Sequence, residues 1–308
     1  MRKNSLAYMV KVGGTYALCA VIWGTTWFAI RVSIAPGGYP TYEAAALRFS
    51  TATILIAGFV MPRIAELASS ETRLFAWLCA AGLINALSYG LLYWGEESLP
   101  GSVAAVLFAS LPLLTAILAV VTGTESISKR QIIGSAIALV GMSAIFWDRL
   151  RISPQQALGV VLIFGSIITC AIYTVIFKQR SRDVHALTAT GVFLAATSLG
   201  LWVITALRGP HPLPWPLPVR PTIAILYLSV AGSIIAFAAY IYLLKQVSIM
   251  TVATLVIVEP IIALIVDRLW EYSLRLTVRI YMGLTVTLLG ALISVLPTKG
   301  LLKDRSTS

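Results

Sequence analysis

Polar and aromatic side chains recur at helical spacing inside the apolar segments of this sequence. In the stretch WGTTWFAIR, Trp23, Thr26 and Trp27 share one face of a helix, because three or four residues separate them. Three later segments carry similar stripes: Asn85, Ser88, Tyr89 and Tyr93; Ser166, Thr169 and Tyr173; and Ser233, Phe237 and Tyr240. Aromatic walls with scattered hydroxyl groups suit a ligand with an apolar body and a few polar groups. The stripes predict a shared substrate cavity, with interfacial tryptophans and helix–helix hydrogen bonds as the structural alternatives.

Charged residues inside apolar segments form a second group of candidates. Glu259 lies in TLVIVEPIIALIV, where an unpaired charge costs about 3 kcal/mol or more in a membrane. Its carboxyl group is expected to face the interior and to bind a proton or a substrate amine, or to be hydrogen-bonded beside a kink at Pro260. A further set of charged residues is expected near the outer ends of the first two helices: Arg31, Glu43 and Arg48. We expect them to form a charge cluster on the extracellular side, which acts either as a gate or as a structural brace, and a brace is the preferred interpretation.

No motif for catalysis or metal binding accompanies these residues. His185 and His211 belong to no HExxH sequence, and no helix carries the paired aspartates that bind a magnesium–diphosphate complex. Without metal ligands or a nucleophile and its base, the sequence predicts neither an enzyme nor a metal site, and no cofactor.

The composition predicts an integral membrane protein. Of the 308 residues, 58% are hydrophobic and 11% are charged, whereas a typical soluble domain has about 25% charged residues. The formal net charge is +11, but lysine and arginine occur in short loops between apolar segments, which is typical of topology signals and argues against a nucleic-acid partner. The lipid bilayer is therefore the expected environment of the chain.

Ten apolar segments are long enough to predict membrane-spanning helices, which need about 20 residues. They lie at 13–32, 42–62, 74–94, 101–122, 131–147, 157–177, 186–207, 222–244, 250–268 and 279–297. An even number of spans places both termini on one side of the membrane. Lysine and arginine are more frequent in the segments that would then be cytoplasmic, so we predict an N-in and C-in protein of the inner (plasma) membrane.

The two halves of the sequence resemble each other. Residues 109–146 and 257–293 each contain a proline within an apolar run, followed by two glycines seven residues apart. These residues are Pro112, Gly134 and Gly141 in the first half, and Pro260, Gly283 and Gly290 in the second. Five helices in each half require the second to enter the membrane from the opposite side, as in transporters with a substrate site between inverted repeats. We predict repeat boundaries at 1–150 and 151–308, with the glycines as close-packing positions within the fold or at a dimer contact.

Several motifs, in this order and spacing, resemble the EamA family of the drug/metabolite transporter superfamily. They are WGTTWFAIR, LRFSTATILIAG, the mid-helix prolines, the TGTES turn that contains Glu125, and the glycine-rich fifth and tenth helices. The second half departs from the family pattern at Asp267, Arg268 and Trp270, and its Glu271 stands three residues further from the following glycine, Gly283, than Glu125 stands from Gly134.

The resemblance implies an all-α integral membrane protein with ten helices in a five-plus-five inverted repeat. It also implies a secondary transporter that exports small metabolites by alternating access, and amino acids or related amphipathic compounds are the expected substrates. A multidrug or lipophilic-cation exporter and a facilitated-diffusion pore are the alternatives. Proton coupling, and the choice between monomer and homodimer, are open at this point.

Overall fold

The computed structural model describes residues 6–96, 98, 101–145, 147, 156–181, 183–270 and 278–295, and every regular element in this part of the chain is helical. The helices are α1 Leu6–Ser33, α2 Thr41–Ser70, α3 Thr72–Glu96, α4 Gly101–Phe108, α5 Leu111–Val121, α6 Lys129–Ile145, α7 Ala157–Arg180, α8 Ala186–Arg208, α9 Val219–Ser229, α10 Ala236–Gln246, α11 Ile249–Ala253, α12 Leu255–Trp270 and α13 Val278–Val295. A π-helical segment, Val230–Ile235, joins α9 to α10.

Within the described residues, six helical segments are long and apolar enough to cross a membrane. They are α1, α2, α3, α7, α8 and the continuous segment Val219–Gln246. Large apolar side chains such as Phe59, Leu207 and Ile54 lie exposed on the outside of the bundle, where lipid rather than water suits them. The protein is therefore a multi-pass, all-helical membrane protein, and the total of ten spans stays a prediction.

Two apolar stretches that the sequence predicts as single helices are interrupted. The first is divided into α4 and α5 at Ala109 and Ser110, and the second is divided into α11 and α12 at Thr254. Pro112 lies in the first turn of α5, where its missing N–H leaves no helical hydrogen bond unmade. Pro260 instead lies inside α12. The two prolines match in sequence, but they occupy different positions relative to the breaks.

Helices α6 and α13 cross at very short distance because glycines face each other there. A Cβ atom at Gly141 would lie 2.5 Å from the backbone nitrogen of Thr287, and one at Gly283 would lie 2.6 Å from a side-chain carbon of Ile145. Gly134 and Gly290 face each other in the same way. The four glycines therefore pack α6 against α13 within one chain. This is the first of the two roles predicted from the sequence, close packing within the fold or a dimer contact.

Helix ends meet around Glu125 at the end of the bundle where α1 begins. One carboxylate oxygen of Glu125 lies 2.8 Å from Nζ of Lys178 at the end of α7, and the other accepts a 3.0 Å hydrogen bond from the backbone N–H of Ile249. Lys178 also donates to the carbonyl of Leu244 at 2.7 Å. Glu125 thus ties the turn after α5 to α7 and α11. Glu271, the residue compared with it, lies outside the described residues, as do the side chains of Asp267, Arg268 and Trp270.

Candidate functional site

A cavity of about 110 Å³ lies among α1, α2, α3, α4, α7, α10 and α12. Helices from both halves of the chain therefore form its walls. Ten of the predicted cavity and charge-cluster residues line it: Trp23, Thr26, Trp27, Arg48, Asn85, Ser88, Tyr89, Tyr173, Phe237 and Glu259. Apolar side chains of Ile30, Leu92, Phe108 and Val256, with Cys170 and Pro260, complete the lining.

The face of α1 that carries the tryptophans is turned toward the second half of the chain. Nε1 of Trp23 donates a 3.2 Å hydrogen bond to the carbonyl of Gly232 in the π-helical segment. The ring of Trp23 packs against Phe237 and Tyr240, with ring centroids 5.4 Å and 5.3 Å away. These contacts hold Trp23 in the interior and not at a lipid interface.

Glu259 faces α1 because α1 and α12 approach closely at Gly24. A Cβ atom at Gly24 would lie 2.5 Å from Cβ of Ile262 and 3.1 Å from the carbonyl oxygen of Glu259. The Glu259 side chain is 8% exposed and accepts a hydrogen bond from the indole of Trp27. Its Oε1 atom has no hydrogen-bond partner among the described residues. The carboxyl group is thus buried, lines the cavity and is only partly satisfied.

Arg48 lies deep in the bundle, whereas the sequence analysis places it in an outer charge cluster. Its side chain is 1% exposed. Nε donates to Oγ of Ser233 at 2.9 Å, and Nη2 donates to the carbonyl of Gly232 at 3.1 Å. The guanidinium group also stacks on the rings of Phe49 and Tyr89, 5.1 Å and 5.6 Å from their centroids.

The π-helical segment explains how this side chain is held. In a π turn the hydrogen bonds run from residue i to i+5, which widens the helix and is frequent at functional sites. Gly232 in this segment accepts hydrogen bonds from both Trp23 and Arg48. A Cβ atom at Gly232 would lie 2.9 Å from the Thr26 methyl group and 3.2 Å from Nη2 of Arg48. The segment therefore positions one side chain from each of α1 and α2 at the cavity.

The other two members of the expected outer cluster lie near helix ends, as the sequence analysis expects, and do not line the cavity. Glu43 is buried at the start of α2, where it accepts a 2.6 Å hydrogen bond from the backbone N–H of His211 and lies 3.7 Å from that ring. Glu43 thus anchors the loop between α8 and α9. Arg31 is exposed near the end of α1.

Five predicted cavity residues contact the protein itself and do not line the cavity. Ser166 exchanges hydrogen bonds with Ser88, with distances of 2.8 Å and 2.9 Å to the opposite carbonyls, and thereby joins α7 to α3. Thr169 donates to the carbonyl of Gly165 in its own helix. The remaining three are Ser233, which accepts from Arg48; Tyr240, 2.5 Å from the hydroxyl of Thr174; and Tyr93, packed beside Tyr89. Hydrogen bonding between α7 and α3 accounts for Ser166, and hydrogen bonding within α7 accounts for Thr169.

In the part of the chain that the structure describes, no group of three or more histidine, cysteine, aspartate or glutamate side chains could hold a metal ion. The polar chemistry of the cavity is therefore carried by one guanidinium group, one carboxyl group, an amide, hydroxyls and indoles.

Comparisons with known proteins agree with this architecture. A crystal structure superposes on 97% of this chain and 99% of its own with a TM-score of 0.74 at 15% identity, which shows a shared fold. Similar sequences include the "Uncharacterized inner membrane transporter YedA" of Escherichia coli strain K12, 28% identical over 82% of this chain and 80% of that protein. Protein PagO of Salmonella typhimurium is 24% identical over 94% of both chains.

A third relative, from Streptantibioticus cattleyicolor, is named "Probable terminal-alkyne amino-acid exporter" and is 26% identical over 82% of this chain and 83% of its own. The model of the EamA-like transporter family matches this sequence twice, at residues 13–147 and 157–296. These two matches take in nearly the whole sequence, and the chain belongs to the EamA-like transporter family.

Proposed function

We propose that the protein is a secondary transporter that exports small metabolites, with amino acids or related amphipathic compounds as its substrates, by alternating access. The observation that carries the proposal is the composition of the cavity walls. Trp23 and Tyr89 come from the first family match, and Tyr173, Phe237 and Glu259 come from the second. A site between two repeats can open to either side when one repeat rocks against the other.

For the whole molecule we propose ten helices in a five-plus-five inverted repeat, with repeats at 1–150 and 151–308. Two interrupted segments support this, since α4–α5 and α11–α12 follow the third and eighth of the proposed spans. The name of the Escherichia coli relative supports an inner-membrane location. Because the family is named for transport, we also infer that the protein is not an enzyme.

The chemistry of the cavity favours amphipathic substrates over lipophilic cations. Rings of Trp23, Tyr89 and Phe237 suit an apolar body, and Asn85 and Glu259 suit polar groups. The guanidinium of Arg48 lines the same cavity, and in a medium of low dielectric constant it repels a cationic substrate. The name of the Streptantibioticus cattleyicolor relative, which mentions an amino-acid exporter, points to the same substrate class.

Counterflow of labelled neutral and aromatic amino acids tests the proposal. The purified full-length protein is placed in liposomes that are preloaded with unlabelled amino acid, without an ion gradient, and uptake of label is compared with protein-free liposomes. We expect exchange by the wild type. We expect Trp23→Ala and Tyr89→Ala to reduce it at least about tenfold, because each removes a cavity wall. Matched controls are Trp215→Ala and Tyr281→Ala, since both side chains are exposed.

Failure of every labelled amino acid to exchange, in protein shown to be folded, would overturn the proposed substrate class. Lipophilic cations would then be tested in the same liposomes. Unitary ion currents in planar bilayers would instead support a facilitated-diffusion pore over a carrier.

A further inference from the structure

We infer that Arg48 binds a carboxylate group of the substrate, so that the transported compounds are carboxylic acids with an apolar body. The inference rests on the proposed function and names the recognition chemistry of the same cavity. It depends on three observations. Arg48 is buried, its Nη1 group has no hydrogen-bond partner, and two acceptor oxygens in the same cavity, on Glu259 and Asn85, also have none.

Arg48 is a buried cation with spare hydrogen-bonding capacity. Among the residues whose side chains the structure describes, it is the one buried lysine or arginine. A guanidinium group has five N–H donors in a planar fork. Nε and Nη2 are used by Ser233 and Gly232, but Nη1 has no hydrogen-bond partner.

The protein itself supplies no carboxylate to this guanidinium within the described residues. The two buried carboxyl groups there belong to Glu43 and Glu259. Glu43 is engaged by His211, and Glu259 by Trp27. A buried charge without a counter-ion is unfavourable, and bidentate pairing with a carboxylate is the strongest remedy that arginine chemistry offers. Because Arg48 lines the cavity, a ligand in the cavity can provide that carboxylate.

The orientation of the guanidinium is fixed before any ligand arrives. Ser233 and Gly232 hold one edge of the fork through the π-helical segment, and Phe49 and Tyr89 lie against its faces. A preorganised donor binds with a smaller loss of conformational entropy. A single fixed guanidinium in a cavity of about 110 Å³ matches a carboxylate monoanion better than a phosphate dianion, whose second charge would stay uncompensated.

Two unpaired acceptors in the same cavity favour a substrate that also carries N–H donors. Oε1 of Glu259 has no hydrogen-bond partner, and neither has Oδ1 of Asn85, whose amide nitrogen donates to Thr197 at 3.2 Å. An ammonium group would satisfy such acceptors, whereas a simple carboxylic acid would leave them unpaired. We therefore expect amino acids to bind more tightly than the corresponding acids without the amine.

Four aromatic probes separate these contributions: L-phenylalanine, 3-phenylpropionate, phenethylamine and phenyl phosphate. Their dissociation constants are measured on the full-length protein in detergent from the ligand-dependent rise in unfolding temperature. We expect L-phenylalanine to bind most tightly, 3-phenylpropionate next, and phenethylamine at least about tenfold more weakly than 3-phenylpropionate, because it leaves the guanidinium unpaired.

Variants at Arg48 then assign the effect to this residue. Arg48→Gln is expected to weaken both carboxylates at least about tenfold and to leave phenethylamine unchanged or improved, and Arg48→Lys is expected to be intermediate because it keeps the charge but loses the fork. Arg180→Gln, which removes the same charge from the exposed end of α7, should bind all probes as the wild type does.

The inference is overturned if phenethylamine binds the wild type as tightly as the carboxylates, if neither carboxylate binds, or if phenyl phosphate binds more tightly than 3-phenylpropionate. Undiminished carboxylate binding by Arg48→Gln would also overturn it. If that variant does not fold, the ranking of the probes on the wild type decides. Exchange in liposomes with the wrong ranking would leave the proposed transporter intact, whereas ranked binding without exchange would overturn transport and leave the inference standing.

Discussion

Two buried side chains of opposite formal charge, Arg48 and Glu259, line one cavity without contacting each other. Each is held by a neutral partner instead: Arg48 by Ser233, and Glu259 by the indole of Trp27. An ion pair between them would satisfy both groups and leave neither for a ligand. Their separation is what leaves Nη1 and Oε1 unpaired, and this is the arrangement expected of residues that bind something from outside the fold.

Replacement of Glu259 by glutamine tests whether its carboxyl group carries a proton during transport. Glu259→Gln keeps an acceptor oxygen for the Trp27 indole but cannot bind or release a proton. We expect counterflow without an ion gradient to be weakened but measurable, because an amide N–H then stands where Oε1 is free to accept from a substrate ammonium group, while accumulation driven by a pH gradient is lost. Both rates are measured in liposomes as a function of external pH.

Glu43→Gln is the matched control for this experiment, because Glu43 is also a buried carboxylate but does not line the cavity. It should keep gradient-driven accumulation. If Glu259→Gln accumulates substrate normally with an unchanged pH profile, the carboxyl group is a structural partner of Trp27 beside Pro260 and proton coupling through it is wrong.

At the scale of the elements, breaks in the helices position the side chains of the cavity. Glu259 lies just after the start of α12, and Phe108 is the last residue of α4. The π-helical segment turns the carbonyl of Gly232 toward Trp23 and Arg48. Irregular backbone at membrane depth is tolerated where it is buried in protein or lines a cavity, and Gly232 and Ser233 of this segment are buried.

Periodicity explains why much of this arrangement could be predicted from the sequence. A helical period fixes which residues share a face, so the stripe of Trp23 and Trp27 and that of Asn85 and Tyr89 could be assigned to a common cavity. Periodicity carries no information on where a helix shifts from α to π. The segment VAGSII contains no proline and has no local signal for that shift.

Arg48 shows the corresponding limit for a single residue. The sequence analysis assigns Arg48 to a cluster with Arg31 and Glu43, because all three residues lie near the expected outer ends of the first two helices. Its depth depends on a tertiary contact, because the wide turn at Gly232 accepts the long side chain. The position of the break between α11 and α12 at Thr254 could likewise not be read from the proline, because Pro260 lies further along, inside α12.

The crossing of α6 and α13 yields a prediction about stability. Gly141→Ala would place a Cβ atom 2.5 Å from the backbone nitrogen of Thr287, and backbone cannot rotate away as a side chain can. We expect the variant to lose about 1–3 kcal/mol of unfolding free energy through overpacking, measured as a lower unfolding temperature of the purified protein in detergent.

Gly58→Ala is the matched control, because it makes the same change inside helix α2 at a position with no atom within 4 Å of the added carbon. Alanine favours helix over glycine by about 1 kcal/mol, so this variant should be as stable as the wild type or more stable. Equal stability of Gly141→Ala and Gly58→Ala would show that α6 and α13 can separate at no cost.

At the scale of the whole molecule, the length of α2 can be compared with the thickness of the membrane. Its 30 residues extend about 45 Å at 1.5 Å per residue, which exceeds the roughly 30 Å hydrocarbon core of a bilayer. The start of α2 is tied to the loop between α8 and α9 through Glu43 and His211. For α2 as a complete span, we therefore expect Ser70, at the other end of α2, to lie on the opposite side of the membrane from that loop.

The proposed N-in and C-in orientation assigns these two sides, and single cysteines test it. Ser70→Cys and Leu213→Cys are both at exposed positions, and they are made separately in a background whose three native cysteines are replaced by alanine. Because α1 and α2 run in opposite directions, N-in places Ser70 in the cytoplasm and Leu213 outside. In intact cells, a membrane-impermeant maleimide should therefore label Leu213→Cys, and it should label Ser70→Cys only after the membrane is permeabilised. The opposite labelling pattern would show that the topology is inverted, with the Ser70 end of α2 outside the cell. Labelling of both cysteines in intact cells would contradict the assignment of α2 as a complete span.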